Sequence, residues 1–531
     1  MTNTFQSLAA LVVHAVRALD PVLWVTSPGS RNAPLLEAGH LAGFTSVTSL
    51  DERVAGHMAM GAAIASGRVA CAVCTSGTAA LNYAPAVAEA FYQRVPLLVI
   101  TADRPKALID QGHGQSIRQE NIFEGHLRGK ALLDPDATLS ENWAVLSSAL
   151  QHIQEGPVHI NVPLVEPLYG LPNLPPYAKS WTLTMPKAQE GCMVFPEWVK
   201  EAHRPLLVIG QWNPAWGSIR RAVDTLKAKG WLIAAEHLAN LPSNLTIQLE
   251  DAWEHAPAAR VDAVVTIGGA WIAKQSKNIL AGTPHWHIGP SSPDPDMFGS
   301  LKEVTRMSPY EGLQTLASVS PTYEDDWARI WRQRTAYTPS TWSDLWVQEA
   351  IAQHAPADLD VHWANSTAVR YGVHTWAYGG WKGKQRHYAN RGASGIDGCT
   401  STALGAAIIS KRPTWLITGE LAFFYDSNAL LQATLPLGFK IIILNNGGGQ
   451  IFRWLEGSID SKIHDDQYAM HHRRNAELLA QHYGMAYCSA HDKASWESAW
   501  AHFVQAQLPT ILEVFTPIEA SEKAYKQRFA P

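Results

Sequence analysis

The sequence is poor in charged residues and in cysteine. Charged residues make up 17% of the 531 residues, and the formal net charge is −5. This charge excludes a global basic field for nucleic acid or an anionic membrane. The five cysteines are an odd number without the spacing of a disulfide framework, which favours a reducing cytoplasm. No apolar run approaches the ~20 residues that cross a bilayer, and residues 1–20 lack the pattern of a signal peptide.

Two common nucleotide-binding patterns are also missing. The sequence has no Gly-Lys-Ser/Thr phosphate loop, and no G-x-G-x-x-G motif follows a predicted strand. A nicotinamide-dependent dehydrogenase therefore has only a general fold class in its favour, and a fold class alone does not give a function.

Short apolar runs alternate with stretches of helical period along the chain. This alternation is typical of βα units and predicts an α/β protein with parallel sheets. Two stretches rich in Pro or in Ser, Thr and Trp divide the runs into three groups. We predict three doubly wound parallel-sheet domains, covering residues 1–180, 190–335 and 340–531. The predicted strands are Val22–Thr26, Val69–Thr75, Leu97–Thr101, Val158–Val162, Leu206–Ile209, Leu232–Ala235, Ala263–Ile267, Val361–Ala364, Trp415–Thr418, Ile441–Leu444 and Ile511–Phe515.

Two motifs of the third group carry residues suited to a metal ion. Gly419-Glu420 follows one predicted strand, and Asn445-Asn446 with three glycines follows the next. Mg²⁺ prefers hard oxygen ligands and often shares them with a phosphate, which the N–H groups of a Gly-rich turn also bind. Either motif alone is typical of an ordinary turn. Together they predict a metal-diphosphate site.

Other strand ends and loops carry Ser, Gln and Arg, and ligands of doubly wound sheets bind at the carboxyl ends of strands. An Arg guanidinium binds a carboxylate with two hydrogen bonds. Taken singly, each of the residues named at the end of this paragraph also fits an ordinary surface loop. Glu52, which opens a predicted helix, also fits a solvated acid in a first helical turn. The residues are Ser30, Arg31, Arg104, Gln115, Ser366, Arg370 and Arg391.

Taken together, these motifs resemble one family of thiamine-diphosphate enzymes. The chain is similar to the 2-succinyl-5-enolpyruvyl-6-hydroxy-3-cyclohexene-1-carboxylate (SEPHCHC) synthases of menaquinone biosynthesis. SPGSR from Ser27 and NRGASGIDG from Asn390 are the most specific segments, and residues 190–335 match only weakly. The other matching segments are DERVAGHMAMG, CTSGTAALN, TADRP, GQSIRQ, GPVHINVPLVEPLYG, STALG, FFYDSNAL and GGGQIFRWLEG, and the tail PTILEVFTP is also similar.

The resemblance implies a fold of the thiamine-diphosphate enzyme type, with pyrimidine-binding, central and diphosphate/metal-binding domains in that order. It implies a cytoplasmic transferase that decarboxylates 2-oxoglutarate and adds the resulting acyl anion to isochorismate in 1,4-fashion. Both substrates are dicarboxylates. The resemblance also implies a homodimer or homotetramer, whose active site lies between the first domain of one subunit and the third of another.

The resemblance also assigns site residues. Glu52 would hydrogen-bond the pyrimidine ring of thiamine diphosphate and promote its imino tautomer, which needs a tuned pKa. Glu420, Asn446 and the Gly448 carbonyl would bind Mg²⁺ or Mn²⁺. The cofactor would also meet Ile396, Gly419, Ile451 and Phe452. The residues implied to contact substrate are Ser30, Arg31, Arg104, Gln115, Ser366, Arg370 and Arg391.

One position departs from the family pattern. The family normally has Asp where this chain has Glu420, whose side chain is longer by one carbon–carbon bond of about 1.5 Å. The carboxylate is retained, so metal binding is expected with an altered preference or affinity. Two alternatives stay open at this point: another thiamine-diphosphate oxo-acid decarboxylase or acetohydroxyacid synthase, and a catalytically silent relative.

Overall fold

The computed structural model contains three β-sheets flanked by helices. It describes residues 4–170, 181–186, 194–213, 216–255, 260–290, 293–321, 323, 339–378, 380–454 and 460–529. Residues 171–180 and 324–338, which adjoin two of the predicted domain boundaries, lie outside the described residues. The sheets and their parallel strand pairs confirm the predicted α/β class.

The first sheet has the strand order β2-β1-β3-β4-β6-β5. Its two middle strands, β3 and β4, are buried along their whole length, which suits their nearly unbroken apolar sequence. From β1 the chain continues to β2 on one side and to β3 on the other, so the topological switch point lies between β1 and β3. The strands are β1 (Leu23–Thr26), β2 (Ser46–Thr48), β3 (Ala70–Cys74), β4 (Leu97–Asp103), β5 (Gly129–Leu132) and β6 (Val158–Pro163).

The second sheet has the order β11-β10-β9-β7-β8, with its switch point between β7 and β9. Its strands are β7 (Pro205–Ile209), β8 (Leu232–Ala235), β9 (Ala263–Ile267), β10 (His285–Gly289) and β11 (Leu301–Arg306).

The third sheet has the order β13-β12-β14-β15-β17-β16. Its switch point lies between β12 and β14, because β13 and β14 flank β12 on opposite sides. The segment after β12 begins with Ala364, and the segment after β14 begins with Glu420, the first residue of a helix. The strands are β12 (Asp360–Trp363), β13 (Arg386–Ala389), β14 (Thr414–Gly419), β15 (Phe439–Asn445), β16 (Ala486–Ala490) and β17 (Thr510–Phe515).

Helices connect the strands and cover the sheets. Several begin at a side chain that accepts a backbone N–H, such as Asp51, Thr138, Ser308 and Asp492. The α-helices are Thr4–Arg17, Ala33–Leu41, Glu52–Ser66, Thr78–Leu81, Ala84–Gln93, Leu139–Leu150, Glu197–Lys200, Arg220–Ala228, Leu249–His255, Lys274–Ile279, Pro309–Leu316, Asp344–His354, Thr367–Tyr378, Cys399–Ile409, Glu420–Tyr425, Glu477–His482, Lys493–Gln505 and Ile518–Phe529.

The chain forms two compact units, and each unit is discontinuous in sequence. Unit 1 comprises Met1–Lys187, Asn390–Thr414 and Ala422–Phe439. Unit 2 comprises Ala188–Ala389, Trp415–Leu421 and Lys440–Pro531. Two segments that sequence analysis assigns to the third domain thus pack within unit 1.

Candidate active site

The predicted site residues fall into two groups, one in each unit. The first group contains the pyrimidine-side residue and five of the substrate residues. The second contains the metal-side residues and two substrate residues. Unit 1 contains Ser30, Arg31, Glu52, Arg104, Gln115, Arg391 and Ile396, and unit 2 contains Ser366, Arg370, Gly419, Glu420, Asn446, Gly448, Ile451 and Phe452.

Glu52 is the first residue of its helix. The helix begins there because the Asp51 carboxylate accepts the backbone N–H groups of Arg53 and Val54, at 2.9 and 3.3 Å. Burial raises the pKa of the Glu52 carboxyl, while its own backbone N–H and Asn82 oppose the rise. Asn82 Nδ2 lies 3.5 Å from Glu52 Oε2. A half-buried carboxyl with a raised pKa is suited to exchanging a proton with a bound ring.

A close helix crossing fixes the Glu52 helix within unit 1. A Cβ atom added at Gly61 would lie 2.0 Å from the Thr402 carbonyl oxygen. A Cβ atom added at Gly405 would lie 2.0 Å from the Met58 carbonyl oxygen. The two helix backbones therefore touch, and only glycine fits at either position.

The loop that carries Arg391 is held by a buried carboxylate. Glu89, 3% exposed, accepts the backbone N–H groups of Gly392, Ala393 and Ser394 at 2.6, 2.7 and 3.0 Å. The same loop carries Ile396. Glu89 stands in no recognisable motif, and its one signal in the sequence is that it is the only charged residue of the helix Ala84–Gln93. The carboxylate sets the backbone from which Arg391 and Ile396 project.

Glu89→Gln is expected to lower kcat/KM about tenfold, chiefly through a higher KM for substrate. Hydrogen bonds to a charged group contribute about 1.5–3 kcal/mol each, and the amide keeps only part of that stabilisation. Steady-state kinetics with saturating cofactor measures the effect. Glu124→Gln, which alters an exposed residue, is the control. Unchanged kinetics in Glu89→Gln would refute the positioning role.

Two arginines that interact electrostatically lie on loops at the carboxyl end of the first sheet. Arg31 is 8% exposed, and its NH1 donates to the Leu164 carbonyl at 2.9 Å. Burial lowers the pKa of the Arg31 guanidinium, and the nearby positive charge of Arg104 lowers it further. Arg104 NH2 donates to the Gly114 carbonyl at 2.6 Å. Two neighbouring guanidinium groups favour a bound anion between them.

Ser30 and Gln115 lie in loops at the same end of the first sheet. Ser30 is exposed in the loop after β1, next to the switch point. Gln115 is also exposed, has a φ of 54°, and its carbonyl accepts the Ser76 hydroxyl at 2.9 Å. Gly29 approaches the neighbouring loop so closely that an added Cβ would lie 2.4 Å from the Thr75 Cβ. The loops after β1, β3 and β4 thus converge on one edge of the sheet.

A fully buried acid anchors the start of the helix Cys399–Ile409. Asp426 accepts both the backbone N–H and the hydroxyl of Ser401, each at 2.7 Å. Arg53 NH2 lies 3.7 Å from the same carboxylate and also donates to the Tyr425 carbonyl at 3.1 Å. Burial raises the pKa of Asp426 to about 7.

The raised pKa of Asp426 predicts a pH-dependent stability. In the folded protein Asp426 keeps its proton up to about pH 7, whereas in the unfolded chain it releases the proton near pH 4. The protonated carboxyl therefore stabilises the folded state, and this stabilisation is fully present below pH 4. It is lost as the pH rises through about 7. Between pH 5 and 8, the unfolding temperature of the native protein should therefore fall more than that of Asp426→Asn. Calorimetric scans at both pH values measure this, with Asp136→Asn as an exposed control. Parallel curves for native protein and Asp426→Asn would contradict the assignment.

In unit 2, Glu420 and Asn446 present buried oxygens that suit a cation. Glu420 Oε1 and Asn446 Oδ1 are both buried and accept no hydrogen bond from the described residues. Asn446 is oriented by Asp344, whose carboxylate accepts from Asn446 Nδ2 at 3.0 Å. Burial raises the pKa of Glu420, and His472 opposes the rise from 3.5 Å. Buried acceptors without donors are the groups that a Mg²⁺ or Mn²⁺ ion would satisfy.

The glycines around this pair shape the loop. The Asn445 side chain accepts the Gly447 N–H at 3.1 Å, and Gly447 has a φ of 78° that favours glycine. A Cβ at Gly448 would lie 2.6 Å from the Ala469 carbonyl oxygen, so this position also requires glycine. A Cβ at Gly419 would meet no atom within 4 Å. That space suits a bound diphosphate next to the helix that begins at Glu420.

No cluster of three or more His, Cys, Asp or Glu side chains that could hold a metal occurs among the described residues. The candidate ligands are one carboxylate, one side-chain amide and one backbone carbonyl, and only the carboxylate belongs to these four residue types. It depends on a ligand phosphate to complete the coordination. In the same described part of the chain, no helix is long and apolar enough to cross a membrane.

The remaining unit 2 residues lie on two segments. Ser366 follows β12 at the switch point with a φ of 73°, and its carbonyl accepts Arg370 NH1. Burial lowers the pKa of Arg370. Ile451 and Phe452 belong to a short 3-10 helix, Gln450–Arg453, and both are partly exposed. They offer apolar surface directly after the Gly-rich loop.

Two stretches of the chain match models of a known protein family. Residues 6–122 match the family described as thiamine pyrophosphate enzyme, N-terminal TPP binding domain. Residues 370–514 match the corresponding C-terminal TPP binding domain. A solved structure, the thiamine diphosphate-dependent 4-hydroxybenzoylformate decarboxylase of Rhodococcus jostii RHA1, aligns with a TM-score of 0.75. It covers 97% of this chain and 100% of that chain at 17% identity, which confirms the predicted fold.

Closer similarity is found among curated proteins named 2-succinyl-5-enolpyruvyl-6-hydroxy-3-cyclohexene-1-carboxylate synthase. Those of Flavobacterium johnsoniae, Bacteroides fragilis and Porphyromonas gingivalis are 35%, 33% and 34% identical to this chain. The alignments cover 98%, 97% and 93% of this chain, and 98%, 96% and 91% of those proteins. The chain therefore belongs to the SEPHCHC synthase family of thiamine-diphosphate enzymes.

Proposed function

We propose that this chain decarboxylates 2-oxoglutarate with the help of thiamine diphosphate. The remaining four-carbon unit is then added to isochorismate in 1,4-fashion, giving SEPHCHC. The observation that carries the proposal is the pair of buried oxygens, Glu420 Oε1 and Asn446 Oδ1, neither of which accepts a hydrogen bond from the part of the chain that the structure describes. In a chain of this family, such a pair supports a site for the ion of a metal-diphosphate cofactor.

The cofactor residues have distinct tasks in this proposal. Glu420, Asn446 and the Gly448 carbonyl hold Mg²⁺ or Mn²⁺, and Gly419 leaves room for the diphosphate. Ile396, Ile451 and Phe452 supply apolar walls. Glu52 would hold a proton at its carboxyl group and would hydrogen-bond the pyrimidine ring of the bound cofactor. When bound, thiamine diphosphate supplies the carbon nucleophile and the electron sink for the loss of carbon dioxide.

The arginines bind the substrate carboxylates. Arg31 supports this proposal best, because burial and the positive charge of Arg104 lower the pKa of its guanidinium even though Glu166 and Asp103 oppose the change. An anion relieves the repulsion between the two guanidinium groups, and a dicarboxylate brings two negative charges. The other residues proposed to contact substrate are Ser30, Gln115, Ser366, Arg370 and Arg391.

Two copies of the chain complete the active site in this proposal, as a homodimer or homotetramer. Unit 1 exposes apolar side chains near the start of the Glu52 helix, with Leu50 68% and Tyr425 57% exposed. Burial of such residues in an interface is favourable. Sedimentation of the holoprotein tests this, and a monomer at micromolar concentration would contradict it. Three domains at 1–180, 190–335 and 340–531, each around one sheet, and a cytoplasmic location remain predictions.

A comparison of substrates tests the proposed reaction. The purified protein with thiamine diphosphate and Mg²⁺ or Mn²⁺ should release carbon dioxide from 2-oxoglutarate and form SEPHCHC only when isochorismate is present. Turnover of pyruvate alone would instead indicate an oxo-acid decarboxylase or an acetohydroxyacid synthase. Calorimetry with the cofactor and millimolar metal tests the catalytically silent alternative, which predicts no detectable binding.

A further inference from the structure

We propose that His472 is a positioning residue for the metal-binding carboxylate of Glu420. Its ring N–H faces Glu420 Oε1, and the remaining lone pairs of the carboxylate stay available to the ion. This role rests on the proposed function.

The side chains of His472 and Glu420 are both buried and lie next to each other. The His472 side chain is 5% exposed and the Glu420 side chain 2% exposed. His472 Nε2 lies 3.5 Å from Glu420 Oε1, within the range of an ion pair. The separation slightly exceeds the 2.7–3.2 Å typical of an N–H···O hydrogen bond, so a small movement of either side chain completes the bond.

A second contact determines which ring nitrogen carries the proton. The backbone N–H of Arg474 donates to His472 Nδ1 at 3.1 Å. A nitrogen that accepts a hydrogen bond carries no proton, so the ring proton of the neutral imidazole is on Nε2. The N–H therefore points towards Glu420. This arrangement argues against His472 as a metal ligand, because a ligating nitrogen must be free of its proton.

The backbone of His472 is fastened to the metal loop itself. Its N–H donates to the Gly447 carbonyl at 3.0 Å, and the ring of His471 contacts the same carbonyl oxygen at 3.2 Å. Gly447 directly follows Asn446. The imidazole is thus linked through Gly447 to the candidate ligand Asn446, and it lies next to the Glu420 carboxylate.

The contact with His472 matters because the side chain of Glu420 is long and flexible. A glutamate has one more rotatable bond than an aspartate, and fixing that bond costs conformational entropy. A donor on one carboxylate oxygen selects a single rotamer before the ion arrives. Donors of this kind typically contribute 10–100-fold to metal affinity. An aspartate at position 420 would end about 1.5 Å short and lose the contact with His472.

A double-mutant cycle on metal affinity tests the proposal. The dissociation constants of Mg²⁺ and Mn²⁺ are measured by calorimetry and by electron paramagnetic resonance of free Mn²⁺, with saturating thiamine diphosphate. His472→Ala should weaken both metals at least about tenfold. His472→Gln, whose amide N–H replaces Nε2–H, should restore most of the affinity. In the Glu420→Asp background, His472→Ala should change the affinity by less than about threefold.

A matched control separates positioning from general loosening of the loop. His471→Ala removes the neighbouring imidazole, which also contacts Gly447, and should leave both affinities within about threefold. Equal losses for His471→Ala and His472→Ala would overturn the proposal. So would a His472→Ala effect of the same size with Glu and with Asp at position 420. If the native holoprotein binds no metal at all, the proposed function fails as well.

Discussion

Glu52→Gln is expected to reduce kcat by about 10²–10⁴-fold, the usual contribution of a positioned general acid–base group. The amide has nearly the same shape as the protonated carboxyl but cannot exchange a proton at the same atom. Steady-state formation of SEPHCHC measures the loss. Because Glu52 is only half-buried and its helix is held by Asp51 and the glycine crossing, the fold should survive the substitution.

The control for Glu52→Gln is the same chemical change at an exposed helical position, Glu497→Gln, which should leave kcat unchanged. The unfolding temperature of each variant without cofactor should match that of the native protein within about 2 °C. Turnover by Glu52→Gln within threefold of the native rate would remove Glu52 from the mechanism. A large fall in its unfolding temperature would instead assign it a structural role.

Gly405→Ala is expected to destabilise unit 1 by about 2–4 kcal/mol, which lowers the unfolding temperature by roughly 5–15 °C. The added Cβ would lie 2.0 Å from the Met58 carbonyl oxygen, a backbone atom that no rotamer change can move. The helices must separate by more than ~1 Å, and the Glu52 helix then shifts. The catalytic rate should fall as well, because a displacement of a catalytic side chain by about 1 Å is enough to slow a reaction strongly.

Gly114→Ala provides the comparison for Gly405→Ala. An added Cβ at Gly114 meets no atom within 4 Å, and its φ lies outside the left-handed region. The unfolding temperature of this variant should stay within about 2 °C of the native value. If Gly405→Ala were equally well tolerated, the helix crossing would not be as close as the structure has it.

The sequence predicts the buried strands better than those at the sheet edges. All eleven predicted strands form, with bounds shifted by at most two residues. Five of the six missed strands are sheet edges, and an edge strand such as β11 (Leu301–Arg306) carries polar side chains on partly exposed backbone. The sixth, β10, is fully buried but contains His285 and His287. Both rings contact the Thr266 hydroxyl, at 2.6 and 2.9 Å, which no sequence pattern reveals.

In the candidate site, too, contacts between residues that are distant in sequence cannot be predicted from a sequence pattern. Glu420 and Asn446 were predicted because each stands in a short motif directly after a strand. The residues that orient these motifs come from distant parts of the sequence and have no motif of their own. Asp344 lies 102 residues before its partner Asn446, and Glu89 lies 303 residues before its partner Gly392. Only the folded chain shows such pairs, because spacing carries no information across several strands and helices.

The discontinuity of unit 1 has a consequence for biosynthesis. Its first segment ends at Lys187 and its last at Phe439, which is 252 residues later (439 − 187). At about 5–20 residues per second, the ribosome needs roughly 13–50 s to produce that stretch. For most of this time the helix Glu52–Ser66 lacks its partner, Cys399–Ile409, and cannot form the glycine crossing. Unit 1 therefore completes its fold late in translation, and its nascent first segment is a natural client for chaperones.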